Sequence, residues 1–424
     1  MTYEETLAYI YGLRRFGIKP GLSRVKTLLE RLGNPHERLR SVHVAGTNGK
    51  GSTAAFLASI MTTSGRRTGL FTSPHLSRFT ERICIDGTEI TADAVCRLAG
   101  QVLAAAPDGT TFFEIVTAMA LLYFAEEHVD IAILEAGMGG GSDATSIAGG
   151  TLSVITPVAL DHCEWLGDSL ADIAREKGGI IKPGRPVVLS AQPQEVLLAI
   201  QERCRDLDCS LVRFGTDFGA GWKADGLSYH GIERRLSGLE PGIGGRYQAV
   251  NAATALAAAE LLAADGHSLT DEALRTGIAH ARWPGRMELF AGNPAILLDG
   301  AHNPAGAHAL AESLGDVPRR RLIVVAGVMG DKDAEGILAP ILPLAHEVIA
   351  VTPAVERGCP SADLAALCRG QGVPSEDGGS VSGGLALARS RAEADDLILV
   401  CGSLYVVGEA RSLLLDRHFE PFRG

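Results

Sequence analysis

Short apolar runs alternate with stretches of helical spacing along nearly the whole chain. Between the runs, apolar residues recur every three or four positions, as they do on one face of a helix. The runs, in chain order, are SVHVA, TGLFT, DIAILEAG, LSVITPVAL, RPVVLS, AILLDGA, RLIVVAGV, HEVIAVTP and DLILVCGS. This alternation predicts β-α units on a mostly parallel sheet, and therefore an α/β fold.

The rhythm first breaks between residues 207 and 248. The stretch FGAGWKADGLSYHGIERRLSG is glycine-rich and alternating, which predicts small antiparallel strands before the alanine-rich helix VNAATALAAAELLAAD. A second break follows Pro284, where a GNP turn precedes a fresh strand. At 424 residues the chain is long enough for two cores. We predict a larger N-terminal domain with a mostly parallel sheet, residues 1–291, and a smaller Rossmann-like α/β domain, residues 294–424.

The stretch VHVAGTNGKGS, residues 42–52, resembles a phosphate-binding loop without matching its usual pattern. Val44 stands where a glycine is expected, and Gly51 stands where Ser or Thr should follow the lysine. A phosphate cradle needs a strand, a glycine turn, one lysine and a helix N-terminus, and all four are present here. The stretch predicts a P-loop ATPase domain whose helix begins at Ser52. The alternative is a plain glycine turn with Lys50 as a solvated surface charge.

A carboxylate follows the third major strand, in ILEAGMGGGSDATS. Glu135 stands where open α/β sheets place their ligands, and beside a phosphate cradle it would serve as a magnesium ligand. The run GMGGGS, with Asp161 further on, nearly matches a dinucleotide-binding fingerprint. Its final glycine is missing, and DATSIAGGT predicts a turn where that fold needs a helix. The dinucleotide interpretation is therefore disfavoured.

Further polar residues lie at predicted strand ends. His162 follows Asp161 at the end of a strand and could bind a second metal, and Lys177 follows on a helix. Taken singly, His162 is more often a structural residue and Lys177 a solvated one. The second half places polar residues at similar junctions, where they could close over a nucleotide or act as ordinary turns and N-caps. They are Arg286, Asp299, His302, Asn303, Asp331, Asp333 and Ser403.

Composition narrows the class of protein. The net charge of −11 and the pI near 5.6 argue against nucleic acid or an anionic membrane as the main partner. No apolar run approaches a membrane span, and the first 16 residues lack the apolar core of an export signal. The eight cysteines are scattered without a C-x-x-C pair, so neither a zinc knuckle nor a disulfide framework is predicted. We expect a cytoplasmic protein that acts on small molecules.

Taken together, these motifs resemble one family. They occur in the order and spacing of the folylpolyglutamate synthase and dihydrofolate synthase family, a branch of the Mur-type ligases that carries Lys-Gly-Ser in its phosphate loop. The resemblance spans about residues 20–406. It rests on GTNGKGS, TSPHLSRFTERI, TFFEIVTAMAL, EAGMGGGSDATS, LDHCEWLGDSLADIAREKGGIIKPG, WPGRME, DGAHNPAG, DKD and GSLY.

The resemblance implies an ATP-dependent amide ligase. ATP would convert a pterin-linked carboxylate into an acyl phosphate, and the amino group of L-glutamate would displace phosphate. Such a highly charged transfer needs metal and lysine more than it needs a general base. Catalytic roles would fall to Lys50, His162 and Lys177, the last of them carbamylated. Two magnesium ions would bind Ser73, Glu135 and His162. The remaining implied contacts are Gly46, Thr47, Asn48, Gly49, Lys50, Gly51, Ser52, Asn251, Arg286, Asp299 and His302 for ATP, and Pro74, His75, Arg82 and Glu114 for the folate-type acceptor.

Three positions depart from the family pattern. The family usually has Arg at Gly141, Asn at Ser146 and His at Tyr247, and the loss of a cation at Gly141 leaves the range of acceptors open. A Mur cell-wall ligase is a rival, but only 45 residues precede Gly46, too few for a UDP-binding domain. A non-catalytic nucleotide switch is another, with little use for His162 and Lys177. We expect a monomer whose small-molecule partners are ATP, L-glutamate and a pterin or folate acceptor.

Overall fold

The computed structural model describes residues 1–13, 21–263, 269–355 and 357–421. The start of the family resemblance, near residue 20, lies outside the described residues. Strands and helices alternate through most of the chain, and the predicted α/β fold is confirmed. The strands form a large sheet, a small antiparallel sheet and a second large sheet.

The first sheet has eight strands in the order β4-β3-β2-β5-β1-β6-β7-β8. Six of them, from β2 to β8, run parallel, while β3 and β4 add an antiparallel edge. The central strand β1 is buried along its whole length. The strands are β1 (Ser41–Ala45), β2 (Thr68–Phe71), β3 (Ile83–Ile85), β4 (Thr88–Glu89), β5 (Ile131–Glu135), β6 (Leu152–Ile155), β7 (Val187–Leu189) and β8 (Leu211–Arg213).

Helices cover both faces of this sheet, and each face has its own apolar core. α3 packs against α9 and α10 on one face, while α4 and α5 pack together on the other. The helices are α1 (Tyr3–Gly12), α2 (Ser23–Arg31), α3 (Lys50–Thr63), α4 (Ala92–Ala105), α5 (Phe112–Glu126), α6 (Cys163–Leu166), α7 (Leu170–Lys177), α8 (Gln194–Asp206), α9 (Gln248–Ala263) and α10 (Asp271–His280). Short 3-10 helices span Pro35–Arg38, Phe79–Arg82, Ala144–Ile147 and Gly178–Ile180.

The glycine-rich stretch folds as predicted, into a three-stranded antiparallel sheet. Its strands are β9 (Gly219–Lys223), β10 (Gly226–His230) and β11 (Arg235–Leu239). Leu227, Leu236 and Leu239 bury their side chains in the same core as the alanine face of α9. This small sheet therefore extends the first core.

The second sheet has six strands in the order β12-β13-β17-β14-β15-β16, parallel except for β12. Its strands are β12 (Glu288–Phe290), β13 (Ala295–Leu298), β14 (Leu322–Ala326), β15 (Glu347–Thr352), β16 (Ser375–Ser380) and β17 (Leu397–Cys401). Its helices are α11 (Pro304–Leu314), α12 (Ala334–Leu338), α13 (Ser361–Gly370), α14 (Val381–Arg391) and α15 (Leu404–Leu414), with a 3-10 turn at Leu342–Leu344.

The change from one sheet to the other comes before the boundary drawn from the sequence. β12 and β13 form a hairpin around the GNP turn, so the predicted division between residues 291 and 294 falls inside one unit of the second sheet. We therefore propose that the second domain begins before Glu288. Among the described residues, no helix combines the length and the apolar character that crossing a membrane requires. All eight cysteines are free thiols.

Candidate active site

The glycine turn after β1 has a backbone that only glycine can supply. Gly46 has φ 149° and Gly49 has φ 83°, both in the region that side chains rarely adopt. A Cβ atom at Gly46 would lie 1.9 Å from Thr156 Oγ1, and one at Gly49 would lie 2.3 Å from Asn251 Oδ1. Gly49 caps α3, which begins at Lys50, so the start predicted at Ser52 is two residues late. The N–H groups of Thr47 and Asn48 donate to Pro157 O at 3.0 and 3.1 Å, so the N–H groups that the turn offers to an anion are those of the first turn of α3.

The unusual Gly51 has a packing explanation. A Cβ atom at this position would lie 2.6 Å from the ring of Trp283, which covers the first turn of α3. A Ser or Thr side chain would clash with that indole. Ser52, one position later, is buried, and its hydroxyl accepts a hydrogen bond from Gln248 Nε2 at 3.4 Å. The hydroxyl in the first turn is therefore displaced by one residue from the usual pattern.

Two lysines converge on the same carbonyl of the loop. Lys50 Nζ donates to the carbonyls of Gly46 and Thr47, each at 3.1 Å, and Lys177 Nζ donates to Gly46 O at 2.8 Å. Lys177 is only 4% exposed, which excludes the interpretation of a solvated surface residue. Burial, together with the charge of Lys50, lowers the pKa of Lys177 to about 7. Much of its amine is therefore uncharged at neutral pH.

Glu135 is the last residue of β5 and lies 5% exposed beside the turn. Its Oε2 accepts a hydrogen bond from the Ser73 N–H at 3.2 Å. Burial raises the pKa of Glu135 to about 7, although the nearby charge of Lys50 opposes the rise. Within the described ranges, no three His, Cys, Asp or Glu residues gather closely enough to hold a metal ion unaided. A cation at Glu135 would need further oxygen donors, such as phosphate.

Asp161 and His162 lie in the loop that follows β6, and Asp161 contacts residues that follow strands of the second sheet. Asp161 lies six residues beyond Ile155, in a loop rather than at the strand end predicted. Lys332 follows β14 in the chain, and its Nζ lies 2.6 Å from Asp161 Oδ1. Asn303 Nδ2 donates to Asp161 Oδ2 at 3.3 Å. Burial is the largest single influence and would raise the pKa of Asp161, but the bond from Lys332 together with the charges of His162, Lys332 and His302 outweighs it and lowers that pKa to about 2. The aspartates on either side of Lys332 were predicted as site residues, but the lysine itself was not.

His162 has a left-handed backbone, with φ 53°, and caps α6. Its side chain is 47% exposed, and its Nε2 lies 3.9 Å from Asp161 Oδ2. Burial lowers its pKa, so the ring is mainly neutral at pH 7 and has a lone pair available for a metal. Asn48 and Asn303 exchange amide hydrogen bonds close by, at 2.9 and 3.3 Å.

The second sheet contributes Asp299, which is 2% exposed and follows β13. Its Oδ2 accepts from the Tyr247 hydroxyl at 2.9 Å and from Met287 N–H at 3.0 Å, while its Oδ1 accepts from Ala301 N–H at 2.9 Å. Burial raises the pKa of Asp299, and the charge of Arg286 opposes the rise. Tyr247, where the family usually has His, therefore supplies a donor to this carboxylate.

Two more predicted residues lie nearby. Burial lowers the pKa of His302 to about 4, and its Nδ1 lies 2.8 Å from the Gly300 carbonyl. Asn251, on α9, is 4% exposed and donates to Gln248 Oε1 at 2.8 Å. Both side chains are thus held in place by protein contacts.

One cleft of about 430 Å³ collects most of the predicted site. It opens between the glycine turn, the ends of β5 and β6, the start of α9 and the residues after β13. The predicted residues that line it are Gly46, Thr47, Asn48, Gly49, Lys50, Gly51, Ser52, Ser73, Pro74, Glu135, His162, Lys177, Asn251, Arg286, Asp299 and His302. The side chains predicted for phosphates, metals and nucleotide therefore share one space.

Three predicted acceptor residues lie outside this lining. His75 and Arg82 are buried, and Arg82 Nε donates to His75 Nδ1 at 2.8 Å. Glu114 forms a capping box with Thr111 at the start of α5 and an ion pair with Arg24 at 3.2 Å. The structure gives Glu114 a structural role, and its contact with an acceptor stays a prediction.

Close packing explains the departure at Gly141. The turn Gly140–Gly141 lies against the end of α7, where a Cβ atom at Gly140 would come within 2.5 Å of Glu176 O. A Cβ atom at Gly141 would lie 3.0 Å from Gly179 Cα. Ser146 Oγ donates to Gly141 O at 2.9 Å, and only a 3-10 helix follows. The turn therefore positions Lys177, and the missing α-helix agrees with rejection of the dinucleotide interpretation.

Two family profiles match this chain. Residues 44–259 match the Mur ligase middle domain, and residues 285–404 match the glutamate ligase domain of the Mur ligases. The first match covers the glycine turn and both lysines, and the second begins at the turn before Arg286.

Curated relatives extend the match to nearly the whole chain. A dihydrofolate synthase/folylpolyglutamate synthase of Bacillus subtilis is 36% identical over 431 residues, which cover 97% of this chain and 99% of the relative. A probable bifunctional folylpolyglutamate synthase/dihydropteroate synthase of Haloferax volcanii is 38% identical over 432 residues. This chain spans only 50% of the Haloferax relative's length.

Solved structures agree with the fold. E. coli FolC in complex with DHPP and ADP superposes with a TM-score of 0.91 at 32% identity, covering 98% of each chain. A bifunctional folylpolyglutamate synthase/dihydrofolate synthase with Mn, AMPPNP and L-glutamate bound gives a TM-score of 0.86 at 33% identity, covering 97% of this chain and 98% of that one. This chain belongs to the dihydrofolate synthase/folylpolyglutamate synthase family, built from the Mur ligase middle and C-terminal domains.

Proposed function

We propose that this protein is an ATP-dependent amide ligase that adds L-glutamate to dihydropteroate, to reduced folates or to both. The acceptor carboxylate attacks the γ-phosphorus of ATP, which releases ADP and leaves an acyl phosphate. The amino group of glutamate then attacks the acyl carbon, loses a proton and expels phosphate. The observation that supports this proposal best is that Lys50 and Lys177, which both donate to Gly46 O, line the same cleft as Asp299 and His302.

The phosphates of ATP are assigned to the turn from Gly46 to Ser52. Its backbone N–H groups at the start of α3 form an anion site, and Lys50 supplies a fixed positive charge. Charge develops on the phosphoryl oxygens during transfer, and such prearranged donors stabilise it without reorganisation. Asn251, Arg286, Asp299 and His302 are assigned to the rest of the nucleotide.

The residues present fit a divalent metal bound together with phosphate. A buried carboxylate with a raised pKa, such as Glu135, is costly to ionise unless a cation lies beside it. Magnesium favours one or two protein oxygens plus phosphate oxygens, which agrees with the lack of a self-sufficient metal cluster among the described residues. Glu135 and Ser73 would hold one ion and His162 a second. Bound magnesium would neutralise charge on the phosphates.

We further propose that Lys177 is carbamylated. Its lowered pKa leaves the amine largely neutral, and a neutral amine nitrogen can attack the carbon of CO₂ and release one proton to give a carbamate. The change replaces a cation beside Lys50 with an anion whose oxygens suit hard metals. The Gly140–Gly141 turn, packed on the end of α7, holds Lys177 beside the phosphate loop.

An acceptor matrix tests the function. Dihydropteroate, dihydrofolate and tetrahydrofolate are each incubated with ATP and L-glutamate, and the products are identified by mass. We expect ADP and a product one glutamyl residue heavier with at least one acceptor. A failure of every acceptor, with ATP hydrolysis independent of them, would contradict the proposal. The monomeric state and the cytoplasmic location stay predictions, and light scattering on the purified protein tests the first.

A further inference from the structure

The acceptor loop, residues 73–82, connects β2 to β3 of the first sheet, but its contacts anchor it to the second sheet and its helix α15. Leu76 packs in the apolar cluster that includes Ile296 and Val407. Ser77 Oγ donates to the Gly408 carbonyl on α15 at 3.5 Å. A Cβ atom at Gly408 would lie 2.1 Å from Leu76 O, so α15 contacts the loop backbone directly. The position of the loop thus depends on the second sheet and on α15.

The chain returns to this loop after α15, in the 417–421 segment. Glu420 N–H donates to Ser77 O at 2.9 Å. Glu420 Oε2 accepts from Phe79 N–H at 2.8 Å and from the Tyr3 hydroxyl at 3.1 Å. The carboxylate thereby caps the 3-10 helix Phe79–Arg82, and one residue joins the acceptor loop to α1.

The backbone of Glu420 continues into a buried polar chain. His75 Nε2–H donates to Glu420 O at 2.9 Å, and His75 Nδ1 accepts from Arg82 Nε at 2.8 Å. These two bonds fix both the tautomer and the orientation of the ring. Arg82 is 3% exposed and lies 5.4 Å from the Phe112 ring centroid. Its charge reaches Glu135, where it opposes the rise in that residue's pKa.

We propose that Glu420 is a positioning residue for the acceptor. The backbone carbonyl of Glu420 holds His75, which orients Arg82. The carboxylate of Glu420 accepts from the Phe79 N–H and so fixes the loop that places Arg82 near the cleft. The assignment of the acceptor rests on the proposed function. Because Glu420 does not line the cleft that collects the residues predicted to bind ATP, we expect its loss to affect binding of the acceptor and to spare binding of the nucleotide.

Steady-state kinetics of three variants test this role. Glu420→Ala should raise KM for the acceptor, dihydropteroate or tetrahydrofolate, by about tenfold, while kcat and KM for ATP stay within about twofold. Glu420→Gln keeps an oxygen that can accept from Phe79 N–H, so its acceptor KM should stay near that of the wild type. A variant lacking residues 419–424 should raise KM for the acceptor more than Glu420→Ala does. A variant lacking only residues 422–424 is the matched control.

Hydrogen–deuterium exchange gives a readout that needs no turnover. Backbone amides of the acceptor loop should exchange about fivefold or more faster in Glu420→Ala than in the wild type, with no change at the glycine turn. An unchanged acceptor KM together with unchanged loop exchange, or an equal rise in both KM values, would overturn the proposal. A wild type inactive towards both acceptors would count against the proposed function, and loop exchange would still decide the role of Glu420.

Discussion

Replacing Tyr247 by Phe removes one hydroxyl from the nucleotide side of the cleft. Asp299 then loses one of three donors and keeps the N–H groups of Met287 and Ala301. A hydrogen bond to a charged acceptor contributes about 1.5–3 kcal/mol. Because Oδ2 keeps a donor and Tyr247 is partly exposed, we expect a loss near the lower end, about 1.5 kcal/mol. Without the Tyr247 hydroxyl the Asp299 carboxylate is also less firmly oriented, and this should raise KM for ATP by about tenfold.

The chain offers a matched control in Tyr229. Its hydroxyl donates to Glu260 Oε1 at 2.8 Å, and Glu260, like Asp299, also accepts a backbone N–H. Tyr229→Phe removes the same kind of bond outside the cleft. Urea unfolding should show a similar or larger loss of stability, and initial rates should show an ATP KM within about twofold of the wild type. An ATP KM that changes equally in both variants, or in neither, would refute the link between Tyr247 and the nucleotide.

Three further predictions concern single residues. Lys50→Ala should lower turnover at least ~10²-fold with an unchanged circular dichroism spectrum, and a rate within a few-fold of the wild type would contradict the phosphate-loop assignment. Lys177→Ala should lose most activity and regain part of it in concentrated acetate; near-normal turnover without acetate would exclude the carbamate. Burial and the charge of Lys182 lower the pKa of His43 from 6.5 to about 4, so the unfolded chain binds more protons in this window and stability falls as pH drops through it. Urea unfolding should show about 2 kcal/mol lost by about pH 4.5 from this group, and the same slope in His43→Gln, which keeps a donor for Thr145 O, would contradict the assignment.

The parts of the site that sequence analysis could predict are local. A buried strand, a glycine turn, a lysine and a helix follow one another within a dozen residues, so the chemistry of the 42–52 stretch is visible without the fold. The reason for a glycine at position 51 is not visible from the sequence, because the indole that excludes a side chain there belongs to Trp283, far along the chain. Lys332 was missed for the same reason: its partner Asp161 lies across the cleft.

Two elements show why pattern alone was insufficient elsewhere. β16 reads SEDGGS and has no apolar alternation, yet it pairs with β15 as an exposed edge strand packed against α13 and α14. The GNP turn, from which the sequence predicts a domain boundary, joins β12 to β13 in a hairpin of the second sheet. The capping box formed by Thr111 and Glu114, in contrast, could have been recognised from its spacing of three residues.

The acyl phosphate is the central claim, and an isotope experiment tests it most directly. The acceptor is prepared with ¹⁸O in both carboxylate oxygens and is turned over with unlabelled ATP and L-glutamate, and the released phosphate is analysed by mass. Attack of a carboxylate oxygen on the γ-phosphorus, followed by displacement by the glutamate amine, places one ¹⁸O atom in each phosphate. Phosphate that carries no ¹⁸O while the glutamyl product accumulates would contradict the account.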